Sequence, residues 1–179
     1  MSPLVQVATN IFSFFTLLAD ILIVAIILAI LTKRFGVNQY LPKRFLDFFG
    51  VNALVLSFIA ALVGTASSLF YSEIAGFAPC VLCWWQRIFL YPQVFILGAA
   101  LWRKEMNVLV YTLPLSIIGG LIAMYHSYLQ FGGLPLVPCP ATGPSCAQVY
   151  FVEYGYVTIP MMALTAFALL IVLSLARRV

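Results

Sequence analysis

Charge is what this sequence lacks most. Only 8% of its 179 residues are Asp, Glu, Lys or Arg while 64% are hydrophobic, a balance that cannot cover a soluble globule with polar surface. No Lys or Arg precedes Lys33. The first strongly apolar stretch, Ile11 to Thr32, therefore has no basic n-region, and with no convincing small-residue cleavage site it reads as a retained helix rather than a cleaved signal. The net charge of +4 comes from isolated basic pairs beside hydrophobic runs, not from a polar basic face, so the sequence offers nucleic acid no footprint. Internal repeats, low-complexity tracts and soluble-domain linkers are missing as well. What remains is an all-α integral membrane protein, built as one bundle in lipid.

Five charge-poor runs are long enough to cross a bilayer: about Ile11 to Thr32, Val51 to Tyr71, Val81 to Trp102, Val108 to Gln130 and Val157 to Ala176. Lys33, Arg34, Lys43 and Arg44 follow the first, Arg103 and Lys104 the third, and Arg177 and Arg178 the fifth, so those ends are expected in the cytoplasm. The outward loops, about Ser72 to Pro79 and Phe131 to Tyr156, contain Glu73 and Glu153 but no Lys or Arg. This arrangement puts the N-terminus outside, the C-terminus inside, and all the cysteines on the disulfide-permissive outer side. Between the first two runs, Leu41 to Phe49 mixes aromatics with charges and suits either a short interfacial helix or an ordinary basic connector. Arg87 is the one basic residue that the charge rule does not explain.

Scattered membrane cysteines are commonly small buried hydrophobes, but the four here come in two spaced pairs. Cys80 and Cys83 form a Cys-x-x-Cys at the start of the third run, inside Pro79-Cys-Val-Leu-Cys-Trp-Trp-Gln-Arg87. A helix start favours a thiolate at either position, and the thiolate is the species that attacks disulfides. Arg87, four residues after Cys83, shares its face one turn deeper and would favour the anion further. A charge inside the bilayer edge needs a partner or a path to the headgroups, so Arg87 is either a functional residue or a snorkelling anchor. The second pair, Cys139 and Cys146, closes a Gly/Pro-rich outer loop with six residues between them. Alone it suits a structural disulfide; beside the first pair it suggests a relay of successive thiol–disulfide exchanges. A four-cysteine zinc site is the competing arrangement, disfavoured by the wide second spacing and by oxidation outside, so no metal is expected.

His126, the only histidine, falls near the outer end of the fourth run at about the depth of Arg87. It suits an interhelical hydrogen bond, or a contact to a quinone carbonyl with proton donation during reduction. Asp20 lies near the middle of the first run, where a carboxylate is costly unless protonated or paired. Trp84, Trp85, Phe89, Tyr91, Tyr125 and Tyr128 crowd the outer boundary, as an aromatic belt would in any membrane protein.

With these residues in view, the chain resembles the DsbB/BdbC family of disulfide-bond formation proteins, most closely the BdbC type. The resemblance rests on Cys80 to Pro92, Tyr125-His-Ser-Tyr-Leu-Gln130, the short Cys139 to Cys146 loop and Gly155-Tyr-Val-Thr-Ile-Pro160. It covers about Val51 to Ala176 and implies a four-helix bundle to which residues 1–50 add a first transmembrane helix and basic connector, with 51–179 as the thiol oxidoreductase. It implies a multi-pass cell-membrane enzyme that reoxidises an extracytoplasmic thioredoxin-fold thiol oxidase (DsbA/BdbD-like) and reduces ubiquinone or menaquinone. By position, Cys139 and Cys146 would form the disulfide that oxidises the partner, with Cys139 attacked, and Cys80 would reoxidise that pair. Cys83 would contact the quinone ring, Arg87 would stabilise thiolate and reduced quinone, and His126 would neighbour the quinone. Two other readings compete: a vitamin K epoxide reductase-like quinone reductase, and a non-enzymatic membrane subunit stapled by disulfides.

Overall fold

The computed structural model describes residues 2–36, 40–135 and 143–178 and is all-helical. Helix α1 spans Pro3–Arg34, α2 Tyr40–Val51, α3 Ala53–Leu69, α4 Val81–Arg103, α5 Val108–Gln130 and α6 Ile159–Arg178, with a π-helical turn at Phe70–Ile74 prolonging α3. The α5 bounds are those expected from the apolar run. Helix α1 begins a full eight residues before its run, because Ser2 caps it by accepting from Val5 N (3.4 Å) and Pro3 fits the first turn. The stretch Leu41 to Phe49 is helical, inside α2, with Leu46 buried and Lys43, Arg44, Asp47 and Phe48 outward.

Within the bundle many polar residues face inward beside the apolar core, and many large apolar ones face outward, unlike a soluble bundle. Gln93, Thr112, Ser116, His126, Thr165 and Ser174 are buried, whereas Phe95, Trp102, Tyr111 and Leu121 are exposed. In lipid this inversion is the stable arrangement, since the interior is where backbone and side-chain polar groups find partners. Ser116 Oγ donates to Gln93 Oε1 (3.0 Å), tying α5 to α4. Small residues bring the helices close: a Cβ on Gly119 of α5 would collide with the ring of the fully buried Phe167 of α6.

Among the described residues, four helical stretches are long and apolar enough to cross a membrane: α1, α3 with its π-turn, α5 and α6. The fifth expected crossing, α4, has the length at 23 residues but is less apolar, because it carries Gln86, Arg87 and Gln93. All three are buried in the bundle, where α4 packs between α3 and α5. The site-bearing helix is thus the least apolar of the five long helices, and its polar side chains are screened by its neighbours. Helices α1 and α2 both pack on α6, and α1 lays a face of Val5, Thr9, Ser13, Thr16, Ile23 and Ile26 inward.

Candidate functional site: a dithiol between a cleft and an outer loop

Cys80 is the N-cap of α4, in extended backbone (φ −76°, ψ 173°), and Cys83 lies in the first turn. That geometry turns both sulfurs to one side, with Sγ to Sγ at 3.3 Å. His126 of α5 brings Nε2 to 3.5 Å from Cys80 Sγ, and its Nδ1 is held 2.9 Å from Gln86 Nε2. The hydrogen bond with Cys83, and then burial, push the Cys80 thiol up to about 12, with His126 opposing. Cys80 is therefore held as the neutral thiol at neutral pH.

On one side of Cys83 a cleft of about 70 Å³ opens, lined also by Ser68, Tyr71, Gln86, Arg87, Phe77 and Tyr150. Arg87 is buried and does not snorkel. Its Nε donates to Ser68 Oγ and its Nη2 to Ser68 O, both at 3.0 Å, and Tyr91 OH donates to the same Ser68 Oγ at 3.1 Å. The Trp84 ring lies 5.1 Å and the Tyr91 ring 5.9 Å from the guanidinium carbon, so the cation is also held by π-faces. The cleft joins a thiol, a fixed cation and apolar walls from Leu90, Ile159 and Ala163, which fits a flat ring bearing carbonyl oxygens. Its roof is aromatic: Phe77 stacks on Tyr150 (4.3 Å between centroids, 9° between planes), and Tyr150 OH donates to Ala78 O at 3.0 Å.

On the other side of the dithiol lies the outer loop. Cys146 is 2% exposed and packs with Cys80 and Leu129 in one apolar cluster, against Leu82, Cys83 and Tyr125. The loop is held there by Gln130 Nε2 donating to Gln148 O (2.7 Å) and by the Tyr150 bond to Ala78. A second, small cavity of about 20 Å³ separates Cys80, Cys83 and His126 from Ser145 and Gln148. Cys139 lies outside the described residues.

The structure thus brings Cys80, Cys83 and Cys146 together and sets Arg87 beside Cys83. His126 has the depth of Arg87 but not its direction: it faces Cys80 and does not line the Arg87 cleft. The sequence reading missed Gln86 and Ser68; Gln86 stands within the motif, next to Arg87, but Ser68 is on another helix and nothing local marks it. Asp20 is paired, accepting from Tyr156 OH (2.8 Å) and Thr165 Oγ1 (2.7 Å). Burial, and then the bond to Asp20, push the Tyr156 phenol up to about 12, so it remains a donor. Cys80 Sγ, Cys83 Sγ and a His126 nitrogen lie within 4.8 Å of one another, a spacing able to hold a soft metal ion. Such an ion would occupy both thiols of the Cys80–Cys83 pair.

The model of the family "Disulfide bond formation protein DsbB" matches residues 50–177. This chain belongs to the DsbB family. A "Probable disulfide formation protein" of Metapseudomonas resinovorans is 43% identical over 129 residues, covering 71% of this chain and 90% of its own. "Disulfide bond formation protein C" of Bacillus subtilis is 43% identical over 124 residues, 66% of this chain and 87% of its own. No solved structure matches. DsbB-family membership makes the chain a multi-pass membrane protein with disulfide oxidoreductase activity, and displaces the vitamin K epoxide reductase-like and disulfide-stapled-subunit readings. The match begins at the end of α2, so α1 lies outside it.

Proposed function

We propose that this DsbB-family protein is a thiol:quinone oxidoreductase that reoxidises an extracytoplasmic thioredoxin-fold thiol oxidase. The observation that carries the reading is the position of the Cys80–Cys83 dithiol, with the Arg87 cleft on one side and Cys146 on the other. The partner's dithiol attacks the Cys139–Cys146 disulfide at Cys139 and becomes a disulfide, leaving two electrons and two protons on Cys139 and Cys146. That pair in turn reduces the Cys80–Cys83 disulfide through a mixed disulfide at Cys80. His126 exchanges the proton at Cys80 Sγ, and Gln86 holds the imidazole in place. Arg87 favours the Cys83 thiolate and would donate to a ring oxygen of a bound quinone, while the Phe77–Tyr150 roof would keep water from the cleft. A bound ubiquinone or menaquinone supplies the terminal two-electron, two-proton acceptor.

The same reading puts the basic connections 33–44 and 103–104 and the C-terminus in the cytoplasm, and both cysteine pairs outside. Residues 51–179 form the oxidoreductase bundle and residues 1–50 an addition to it. Single cysteine variants test the relay. Cys80→Ala or Cys83→Ala should abolish oxidation by quinone, whereas Cys139→Ala or Cys146→Ala should spare reaction of the Cys80–Cys83 pair with quinone and stop transfer from the partner. Equal residual turnover in all four variants would reject the relay.

A further inference from the structure

We propose that α1, which lies outside the family match, forms the third wall of a groove that takes the polyisoprenoid tail of the quinone. This inference rests on the quinone function proposed above. A lateral groove of about 100 Å³ runs between Phe12, Thr16 and Ala19 of α1, Ala60 of α3, and Ala166 and Leu169 of α6. It adjoins the Cys83–Arg87 cleft, with Gly64, Ser67 and Met162 lining both. From those shared residues it descends along α3 and α6 for about two helical turns, ~10 Å toward the middle of the bilayer.

Its lining suits a hydrocarbon and nothing polar. Each hydroxyl on the wall is already bonded within the protein: Thr16 Oγ1 donates to Phe12 O (2.8 Å), Ser67 Oγ to Gly64 O (3.0 Å) and Thr165 Oγ1 to Asp20 Oδ1 (2.7 Å). No donor is left to hold a headgroup, and the small side chains at 19, 60, 64 and 166 leave the space. The helix is fastened at both ends of the groove. Asp20 bonds Tyr156 and Thr165 at the lower end, and at the upper end Phe12 packs edge-on against Phe70 and Tyr71, with Tyr71 OH bonded to Thr9 Oγ1 (3.4 Å). Tyr71 also lines the head cleft, so α1 touches the walls of both cavities. A ring in the cleft with its substituent directed along the shared residues would thread its tail between α1, α3 and α6. An acyl chain of a membrane lipid is the competing occupant.

The test compares two quinones of the same ring, one with a long polyisoprenoid tail and one with a single isoprene unit, on the purified full-length protein in detergent. Filling the groove with Ala19→Phe or Ala60→Phe should raise the ratio of long-tail to short-tail KM by about tenfold or more. An unchanged ratio would overturn the proposal and leave the groove to lipid. A long-tail quinone carrying a diazirine in its second isoprene unit needs no variant: it should label residues between Phe12 and Ala19, and labelling confined to the outer faces of α3 and α6 would overturn the proposal. If the unaltered protein reduces neither quinone, the quinone function itself fails and the tail groove with it.

Discussion

Arg87 offers the sharpest perturbation, because its surroundings fix what each substitution removes. Two of its donors, Nε and Nη2, are taken by Ser68. Nη1 has no protein partner among the described residues, in a guanidinium that lines the cleft with Cys83. A bond from a buried cation to a ring oxygen contributes about 1.5–3 kcal/mol net, so Arg87→Met should raise the KM for quinone by about 10- to 150-fold. Arg87→Lys keeps the charge, but an ammonium cannot address both oxygens of Ser68 and the ring together, so its KM should fall between the two. Ser68→Ala leaves the guanidinium and removes the acceptor shared by Arg87 Nε and Tyr91 OH, and should give a smaller rise of the same sign. The assay is quinone reduction followed by absorbance with the partner dithiol in excess, and a count of reactive thiols checks that each variant keeps its fold. If Arg87→Met holds its KM to within about twofold, less than ~0.5 kcal/mol, with normal thiols, the cation does not address the acceptor.

The Cys80 thiol, pushed up to about 12 chiefly by its bond to Cys83, should resist alkylation in the reduced protein well past pH 9. Cys83→Ala removes the largest cause while burial remains, so the alkylation midpoint should move down toward the ordinary thiol value; a midpoint near 9 in both proteins would refute the hydrogen-bonded dithiol. Tags on the termini of the protein in intact cells should be accessible from outside at Met1 and protected at the C-terminus. Protection of the N-terminal tag would remove one crossing and with it the proposed orientation of α1.

The parts of this molecule that follow local rules were legible in the sequence. An apolar run with a basic pair at one end announces a span, and α5 keeps the bounds of its run, Val108 to Gln130. Helix α1 starts earlier than its run because capping by Ser2 and Pro3 carries the first turns through residues that hydrophobicity does not mark. The offset of Arg87 from Cys83 could be read from helical geometry, since both are on one helix. Ser68 could not, since its meeting with Arg87 depends on how α3 packs on α4. His126 illustrates the same limit: sequence gives its depth along α5 but not the rotation that turns it to Cys80 rather than to the cleft. Asp20 reads as a costly isolated carboxylate until Tyr156 and Thr165, both far along the chain, are folded against it.

In the proposed function the Cys80–Cys83 dithiol delivers its electrons to a quinone in the Arg87 cleft. The most direct measurement is an anaerobic single turnover: the protein with Cys139 and Cys146 replaced by Ala is reduced, freed of reductant and mixed with quinone, while quinol absorbance and the thiols at Cys80 and Cys83 are followed together. Quinol should form as the two thiols are lost, in the proportion of one quinol to each Cys80–Cys83 disulfide, and Arg87→Met should require more quinone to do so. Loss of the thiols without quinol, or no loss of thiols at saturating quinone, would contradict the proposed function.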